Sequence, residues 1–179
     1  MFVIYGSSRK DGNSEQLADV IISDLNVEKV YLTEKKILPI IDKRHDIEGF
    51  HSLKDDYYEV VYQMLPHKKI LFVTPLYWYG MSGLMKNFID RWSESLRDTS
   101  MEFKQEMKDK KMYVLITGGD EPKQKALPLV MQFQYIFDYF GASFEGYVIG
   151  EGNKPNDIVE DKLALQQAGF FKELLSEVN

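Results

Sequence analysis

Five short apolar runs, each followed by a stretch with helical periodicity, constrain this chain more than anything else in it. They are Phe2 to Tyr5, Val27 to Tyr31, Ile70 to Thr74, Met112 to Thr117 and Ser143 to Ile149. Strands that alternate with helices build βαβ units, and such units give a parallel sheet with helices on both faces. The third and fourth runs, Ile-Leu-Phe-Val and Tyr-Val-Leu-Ile, are apolar at every position, as strands covered on both sides must be. The helical stripes are Leu17, Ala18, Ile21, Ile22 and Leu25; Tyr57, Val60, Val61, Met64 and Leu65, ended by Pro66; and Met85, Phe88, Ile89, Trp92 and Leu96 within 83–97. Two more helices are read over 126–140, stopping at Gly141, and over 157–177 after a Gly-, Asn- and Pro-rich loop. Right-handed, short connections then predict an α/β doubly wound domain of three layers. Its five-stranded parallel sheet runs in the order 2-1-3-4-5, with a switch point between the first and third strands. The whole chain, 1–179, is read as one such domain, long enough to bury a continuous core.

In a sheet of this kind ligands sit beyond the carboxyl ends of the strands near the switch point, so the loops after strands one, three and four carry the function. The first reads Gly6-Ser-Ser-Arg-Lys-Asp-Gly-Asn-Ser14 and leads into a helix that Ser14 is placed to cap. Backbone N–H groups, hydroxyls, a helix N-terminus and the Arg9 guanidinium at one turn make an anion seat suited to phosphate. The spacing excludes two common phosphate ligands. Gly6 and Gly12 are one residue too far apart for G-x-x-x-x-G-K-[ST], and Asn13 stands where its lysine belongs; Ser8 and Arg9 occupy the second and third glycine places of a dinucleotide fingerprint. A single terminal phosphate is what remains.

The second loop is Pro75-Leu-Tyr-Trp-Tyr-Gly80-Met-Ser-Gly83. Three consecutive aromatics on a loop are costly to expose and awkward to bury, and they suit a flat amphipathic ligand. Pro75 fixes the chain's exit from the strand, and Gly80 and Gly83 let backbone approach a ring. The third loop places Gly118 and Gly119 after Thr117, where amide N–H groups can reach a ligand's carbonyl edge.

Composition narrows the chemistry. With no cysteine and three histidines, His45, His51 and His67, in polar surroundings, neither thiol chemistry nor a resident metal is expected, and an organic cofactor is. A net charge of −6 with scattered basic residues argues against nucleic acid or an anionic membrane as partner. The absence of a long apolar run or a charged leader gives a cytoplasmic expectation. Along 126–140, Met131, Tyr135 and Tyr139 form a second apolar stripe opposite the core-facing one, which points to a homodimer through that helix.

The first loop, Thr74 to Gly83, Leu84-Met-Lys-Asn-Phe-Ile-Asp-Arg91 and Thr117-Gly-Gly119 together resemble the flavodoxin-like NAD(P)H-dependent FMN reductase and quinone reductase family over residues 1 to about 150. The resemblance implies non-covalent FMN. Ser7, Arg9, Asn13 and Ser14 would take its phosphate, Pro75, Leu76, Tyr77, Trp78 and Gly80 would lie along its ring, and Thr117, Gly118 and Gly119 would meet its edge. It further implies NADPH or NADH as electron donor, a small acceptor such as a quinone, free flavin, nitro or azo compound, and a ping-pong order in which no side chain need act as acid or base. Lys10, Lys86 and Arg91 join Arg9 as cations expected near the site, which favours a nicotinamide phosphate over the acidic surround of a one-electron flavodoxin carrier. A carrier and a flavin-binding regulatory module remain the alternatives. The branch of the family with iron–sulfur cysteines between the second strand and second helix is excluded, because Leu38 to Gly49 holds no cysteine; that loop is left as a lid or a subunit contact.

Overall fold

The computed structural model describes residues 1–51 and 53–177. Its sheet is built from β1 (Phe2–Tyr5), β2 (Glu28–Tyr31), β3 (Lys69–Pro75), β4 (Lys111–Gly118) and β5 (Ser143–Glu151), all parallel and in the order β2-β1-β3-β4-β5. This is the flavodoxin-like arrangement expected from the alternation. Ile4 pairs with Val30 on one side and Phe72 on the other, and Phe72 pairs in turn with Val114. Successive side chains along each inner strand go to opposite faces. Phe2, Ile4, Ile70, Phe72, Met112 and Val114 enter one core, and Val3, Tyr5, Leu71, Val73, Tyr113 and Leu115 enter the other. All twelve are at most 1% exposed, which is why these strands read as unbroken apolar runs.

The helices are α1 (Asn13–Ile22), α2 (Tyr57–Met64), α3 (Gly83–Asp90), α4 (Trp92–Ser95), α5 (Phe103–Met107), α6 (Pro122–Lys125), α7 (Leu127–Phe140) and α8 (Lys162–Glu177), with 3-10 turns at Leu32–Glu34 and Asp157–Glu160. α1 and α8 cover the second core; α2, α3, α4, α5 and α7 contribute to the first. Between Met112 and Tyr113 the β4–β5 ladder slips by one residue, and beyond the slip Gly146 takes φ 154 beneath Phe171 of α8. A Cβ there would sit 2.9 Å from the Phe171 ring, so glycine is required by packing as well as by backbone.

Three expectations are corrected. The helix read over 83–97 is two helices, broken at Arg91, whose side chain is wholly buried. Its Nη1 donates to Asp55 Oδ2 at 2.6 Å and to the Leu38 carbonyl at 3.2 Å, Glu94 Oε1 lies 2.5 Å from its Nε, and its guanidinium stacks 4.4 Å over the Tyr57 ring. The helix read over 157–177 opens instead as a separate 3-10 turn, Asp157–Glu160, before α8, whereas the one read over 126–140 and stopped at Gly141 is α7 to within one residue. Ser14 does not cap α1. Gly12 is the N-cap, and the Ser14 hydroxyl is drawn instead to Thr117 Oγ1 at 2.5 Å across the switch point.

The loop from Leu38 to Gly49 has no helix or strand, and its base is pinned by the same buried ion pair: Asp55 accepts from Leu38 N–H at 2.9 Å while Arg91 holds the Leu38 carbonyl. Ile41 and Ile47 on this loop are exposed.

Candidate functional site

Four loops, one more than the sequence singled out, are laced together at the carboxyl edge of the sheet. Ser82, the N-cap of α3, accepts from Met85 N–H and donates to the Gly6 carbonyl at 2.5 Å, while its own N–H donates to Thr74 Oγ1. The contact explains Gly6, since a Cβ there would lie 2.9 Å from Met85 Cβ and 3.0 Å from Ser82 Oγ. Leu76 N–H donates to the Thr117 carbonyl at 2.7 Å, which joins the second loop to the third. The fourth loop follows β5: Gly152 N–H donates to the Gly118 carbonyl at 2.9 Å, and Gln16 donates to Asn156 Oδ1 at 2.6 Å.

These ties enclose a cleft of about 240 Å³ at the switch point. The first loop contributes Ser7, Arg9, Gly12, Asn13 and Ser14, the second Pro75, Leu76 and Tyr77, and the third Thr117, Gly118 and Gly119. The fourth adds Gly152 and Asn153, which the sequence reading did not name. Their only signal in the sequence is a Gly-Asn step at the carboxyl end of a strand, and that is equally the signal of a plain turn. Asn153 sits directly over Gly119, where a Cβ would meet the asparagine's Cβ at 2.7 Å.

The chemistry of this cleft is one-sided. Among the described residues no carboxylate lines it. The backbone N–H groups of Ser7, Ser8, Gly12, Asn13 and Ser14 donate to no other described residue, so the turn and the first residues of α1 present a set of unengaged donors. The lower part of the turn is held open by Glu15, which accepts from Asp11 N–H at 2.7 Å and Tyr31 Oη at 2.5 Å, with Asp11 itself at φ 53. Arg9 is exposed beside it.

The side chains expected to bind phosphate are not equally available. Ser7 Oγ turns back on its own loop, accepting from Arg9 N–H at 3.1 Å and donating to the Arg9 carbonyl at 3.0 Å. Asn13 spends both ends of its amide on the fourth loop, donating to the Lys154 carbonyl at 2.9 Å and accepting from Ile158 N–H at 3.3 Å. Asn13 is thus the post to which the fourth loop is fastened. The other expected cations lie elsewhere. Arg91 is buried with Asp55 and Glu94, Lys86 pairs with Asp90, and Lys10 pairs with Glu34.

A second cleft of about 250 Å³ adjoins the first and shares Leu76, Gly119 and Asn153 with it; Trp78, Tyr79 and Asp120 complete its walls. Here the second loop makes a two-residue turn. Tyr77 and Gly80 exchange both backbone hydrogen bonds at 3.0 Å, with Trp78 at φ 49 and Tyr79 at φ 62 between them. Gly80 therefore closes the turn and lines neither cleft. Turns of this mirror-image kind favour Asn-Gly, and a bulky residue in the left-handed region costs roughly 1–3 kcal/mol. Trp78 is 96% exposed. Asp120 accepts from Tyr79 Oη, and Lys125 reaches both of its oxygens, each at 2.7 Å. The hydrogen bond from Lys125 and then that from Tyr79 hold the Asp120 carboxyl below its ordinary range, and the bond to Asp120 raises the Tyr79 phenol.

A larger groove of about 730 Å³ lies away from this edge, against α3, α4 and α7, and is lined mainly by apolar side chains including Trp92, Leu96, Met131, Tyr135 and Tyr139. Among the described residues no group of His, Cys, Asp and Glu is placed to hold a metal ion, and no helix is long and apolar enough to cross a membrane.

Comparison with known proteins agrees with this fold. The family model for NADPH-dependent FMN reductase matches residues 1–144. A protein of Bacillus subtilis strain 168 that bears the provisional name NAD(P)H-dependent FMN-containing oxidoreductase YwqN is 47% identical over 167 residues, covering 93% of this chain and 92% of that protein. The solved structure of a Trp repressor binding protein from Bacillus subtilis superposes with a TM-score of 0.80 at 41% identity, covering 95% of each chain. An FMN-dependent NADH-azoreductase from Bacillus anthracis, solved in complex with FMN, shares the fold with a TM-score of 0.69 at 12% identity over 98% of each chain. With the family model covering most of the sequence and a relative nearly half identical along almost its whole length, the chain belongs to the NADPH-dependent FMN reductase family.

Proposed function

We propose that this chain holds one FMN across the paired clefts and passes reducing equivalents from NADPH or NADH to a small acceptor in ping-pong order. One observation carries the reading: a carboxylate-free cradle of unengaged backbone N–H groups with Arg9 at its rim opens into a cleft flanked by an exposed aromatic turn. The fit to FMN is chemical and dimensional. The donors suit a terminal phosphate dianion, the Leu76, Gly118 and Gly119 surfaces suit a flat ring, and the two contiguous clefts together are of the size of small-ligand pockets, roughly 300–1,000 Å³.

In this reading Arg9 and the unengaged N–H groups of Ser7, Ser8, Gly12, Asn13 and Ser14 hold the phosphate, while the Asn13 side chain acts through the fourth loop it anchors. Pro75, Leu76 and Tyr77 lie along the ring, and Trp78 and Gly80 shape the turn at its open face. Thr117, Gly118 and Gly119 offer polar backbone to its edge, and Asn153 closes it from the fourth loop. Bound FMN supplies the hydride chemistry. The protein's part is to fix the ring, exclude water from one face and leave the other open; preorganised dipoles near the pyrimidine edge stabilise charge that develops on reduction. Donor and acceptor then use one open face in turn.

Initial rates measured with NADPH and menadione varied together test this. Parallel double-reciprocal lines support it, and converging lines or no turnover with flavin bound refute it.

The partner of the α7 face is a second copy of the chain. Met131, Tyr135 and Tyr139, at 45%, 65% and 59% exposure, repeat every fourth residue along one helix, which suits a two-fold contact in which the same stripe meets itself. The cytoplasmic placement expected from the sequence belongs to the same proposal, on the ground that both reactants are soluble molecules.

A further inference from the structure

Glu15 does not behave as the first-turn acid of a helix usually does. It stands at the third position of α1, from which a glutamate ordinarily reaches back to the N–H of the N-cap residue. Here it reaches one residue further. Its Oε2 accepts from Asp11 N–H at 2.7 Å, and Gln16 Nε2 donates to the Asp11 carbonyl at 3.1 Å, so the left-handed residue before the cap is held from both sides. The N-cap itself is Gly12, which has no side chain to turn onto the helix. Both devices that normally satisfy the first N–H groups of a helix are missing from this one, and the amides of Gly12, Asn13 and Ser14 stay without a partner among the described residues.

Tyr31 keeps Glu15 off those amides. A carboxylate in the first turn is drawn towards the helix N-terminus by the dipole and by the unengaged donors. Glu15 Oε1, however, accepts from Tyr31 Oη at 2.5 Å, and the ring carrying that hydroxyl is stacked on Tyr5 with centroids 4.6 Å apart and planes 8° from parallel. Tyr31 is the last residue of β2 and Tyr5 the last of β1, so the donor is mounted on the sheet itself. Burial, and then the hydrogen bond to Glu15, raise the Tyr31 phenol, which therefore keeps its proton and donates. Neither Tyr31 nor Glu15 lines either cleft.

We propose that Tyr31 is a positioning residue for phosphate recognition: by holding the Glu15 carboxylate at Asp11, it leaves the donors of the first loop free for the flavin phosphate and keeps a like charge away from them. The inference rests on the FMN reading above. Released from Tyr31, the carboxylate falls back on the Gly12 N–H, where it competes with the phosphate for donors and repels it by charge. Riboflavin carries no phosphate and does not meet this competition.

The experiment measures FMN and riboflavin dissociation constants by fluorescence titration in the wild type, Tyr31→Phe, Glu15→Gln and the double variant. Phenylalanine retains the stack on Tyr5 and removes only the hydroxyl. Tyr31→Phe should weaken FMN by about tenfold and leave riboflavin within about twofold of the wild type. In the Glu15→Gln background the same change should cost FMN less than about twofold, because a neutral amide does not repel the phosphate. Equal losses in the two backgrounds, equal losses for the two flavins, or no loss of FMN in Tyr31→Phe would overturn the proposal. In the flavin-free protein, amide hydrogen exchange followed by NMR reads the carboxylate directly: the Gly12 N–H should gain protection in Tyr31→Phe and not in the double variant. Absence of that gain also overturns the proposal. A wild type that takes up no FMN, with Gly12 still gaining protection in Tyr31→Phe, refutes the FMN reading and leaves the hold of Tyr31 on Glu15 standing.

Discussion

Replacing Arg91 by methionine should cost more stability than any other single surface-to-core charge change in this chain, because it leaves two carboxylates behind in the core. Asp55 and Glu94 are 0% and 3% exposed at their side chains, and Arg91 is their shared counter-ion. Removing one partner of a buried pair typically costs about 3–5 kcal/mol, mostly as the penalty for the uncompensated charge. A native stability of roughly 5–15 kcal/mol would lose between about a fifth and all of it. With a urea m-value of about 2 kcal/mol/M for a chain of this size, the midpoint moves down by about 2 M.

The deficit should also depend on pH with a definite sign. In the native protein burial alone would raise the Asp55 carboxyl, but the hydrogen bonds from Arg91 and from the Leu38 and Tyr57 N–H groups bring it below the ordinary carboxylate value. Asp55 therefore contributes stability above that ordinary value and loses it as pH falls through the depressed one. Burial outweighs Arg91 at Glu94 and raises it, so Glu94 is an opposing contribution that acid relieves. Without the guanidinium both carboxyls rise. The gap between wild type and Arg91→Met should be widest near neutral pH and narrow by about half towards pH 5, as the stranded groups take up protons. Urea unfolding followed by far-UV circular dichroism at both pH values measures it. A midpoint shift under about 0.5 M, or a shift that grows in acid, refutes the assignment of this cluster as a buried, mutually dependent ion pair.

Three further outcomes follow from the geometry. Arg9→Gln should weaken FMN by about one to two orders of magnitude and riboflavin hardly at all, because in the proposed site the residue serves the phosphate; fluorescence titration with both flavins measures the difference. Gly119→Ala would drive a methyl group against Asn153 at 2.7 Å, displacing the third or fourth loop, and should lower FMN affinity at least tenfold with little change in the thermal midpoint of the flavin-free protein; partial recovery in the Gly119→Ala, Asn153→Gly pair would identify the clash as the cause. Tyr135→Glu with Tyr139→Glu should convert a dimer to a monomer in sedimentation velocity, since four like charges would then face each other across the proposed two-fold contact.

The sheet was legible because its chemistry is local. Phe2 to Tyr5 and Ile70 to Val73 are apolar at both faces, and that pattern, with the rule of right-handed crossovers, leads to the order β2-β1-β3-β4-β5. The loops after β1 and β4 were legible because glycine and hydroxyl residues stand directly after or at the end of apolar strands, and the loop after β3 because it carries three consecutive aromatics. What escaped depends on partners far away in sequence. Ser14 reads as a cap until Thr117 claims its hydroxyl, and Asn13 reads as a phosphate ligand until the fourth loop, more than 140 residues later, takes both ends of its amide. Arg91 reads as a site cation from its place in the stretch that follows the second loop, and only the fold brings Asp55 to it. α5, five residues from Phe103 to Met107, is too short for periodicity to register, although Phe103 and Met107 are both buried. Gly152 and Asn153 carry no apolar or charged signature at all, and their place at the cleft comes from the backbone bond between Gly152 and Gly118.

The central claim, that four loops at one sheet edge form a seat for a singly phosphorylated flat ring, is tested most directly by titrating the flavin-free protein with FMN and with riboflavin in a calorimeter. One FMN should bind per chain, with riboflavin at least about a hundredfold weaker for want of the phosphate. Equal affinity for the two flavins, or no heat from either, would contradict it.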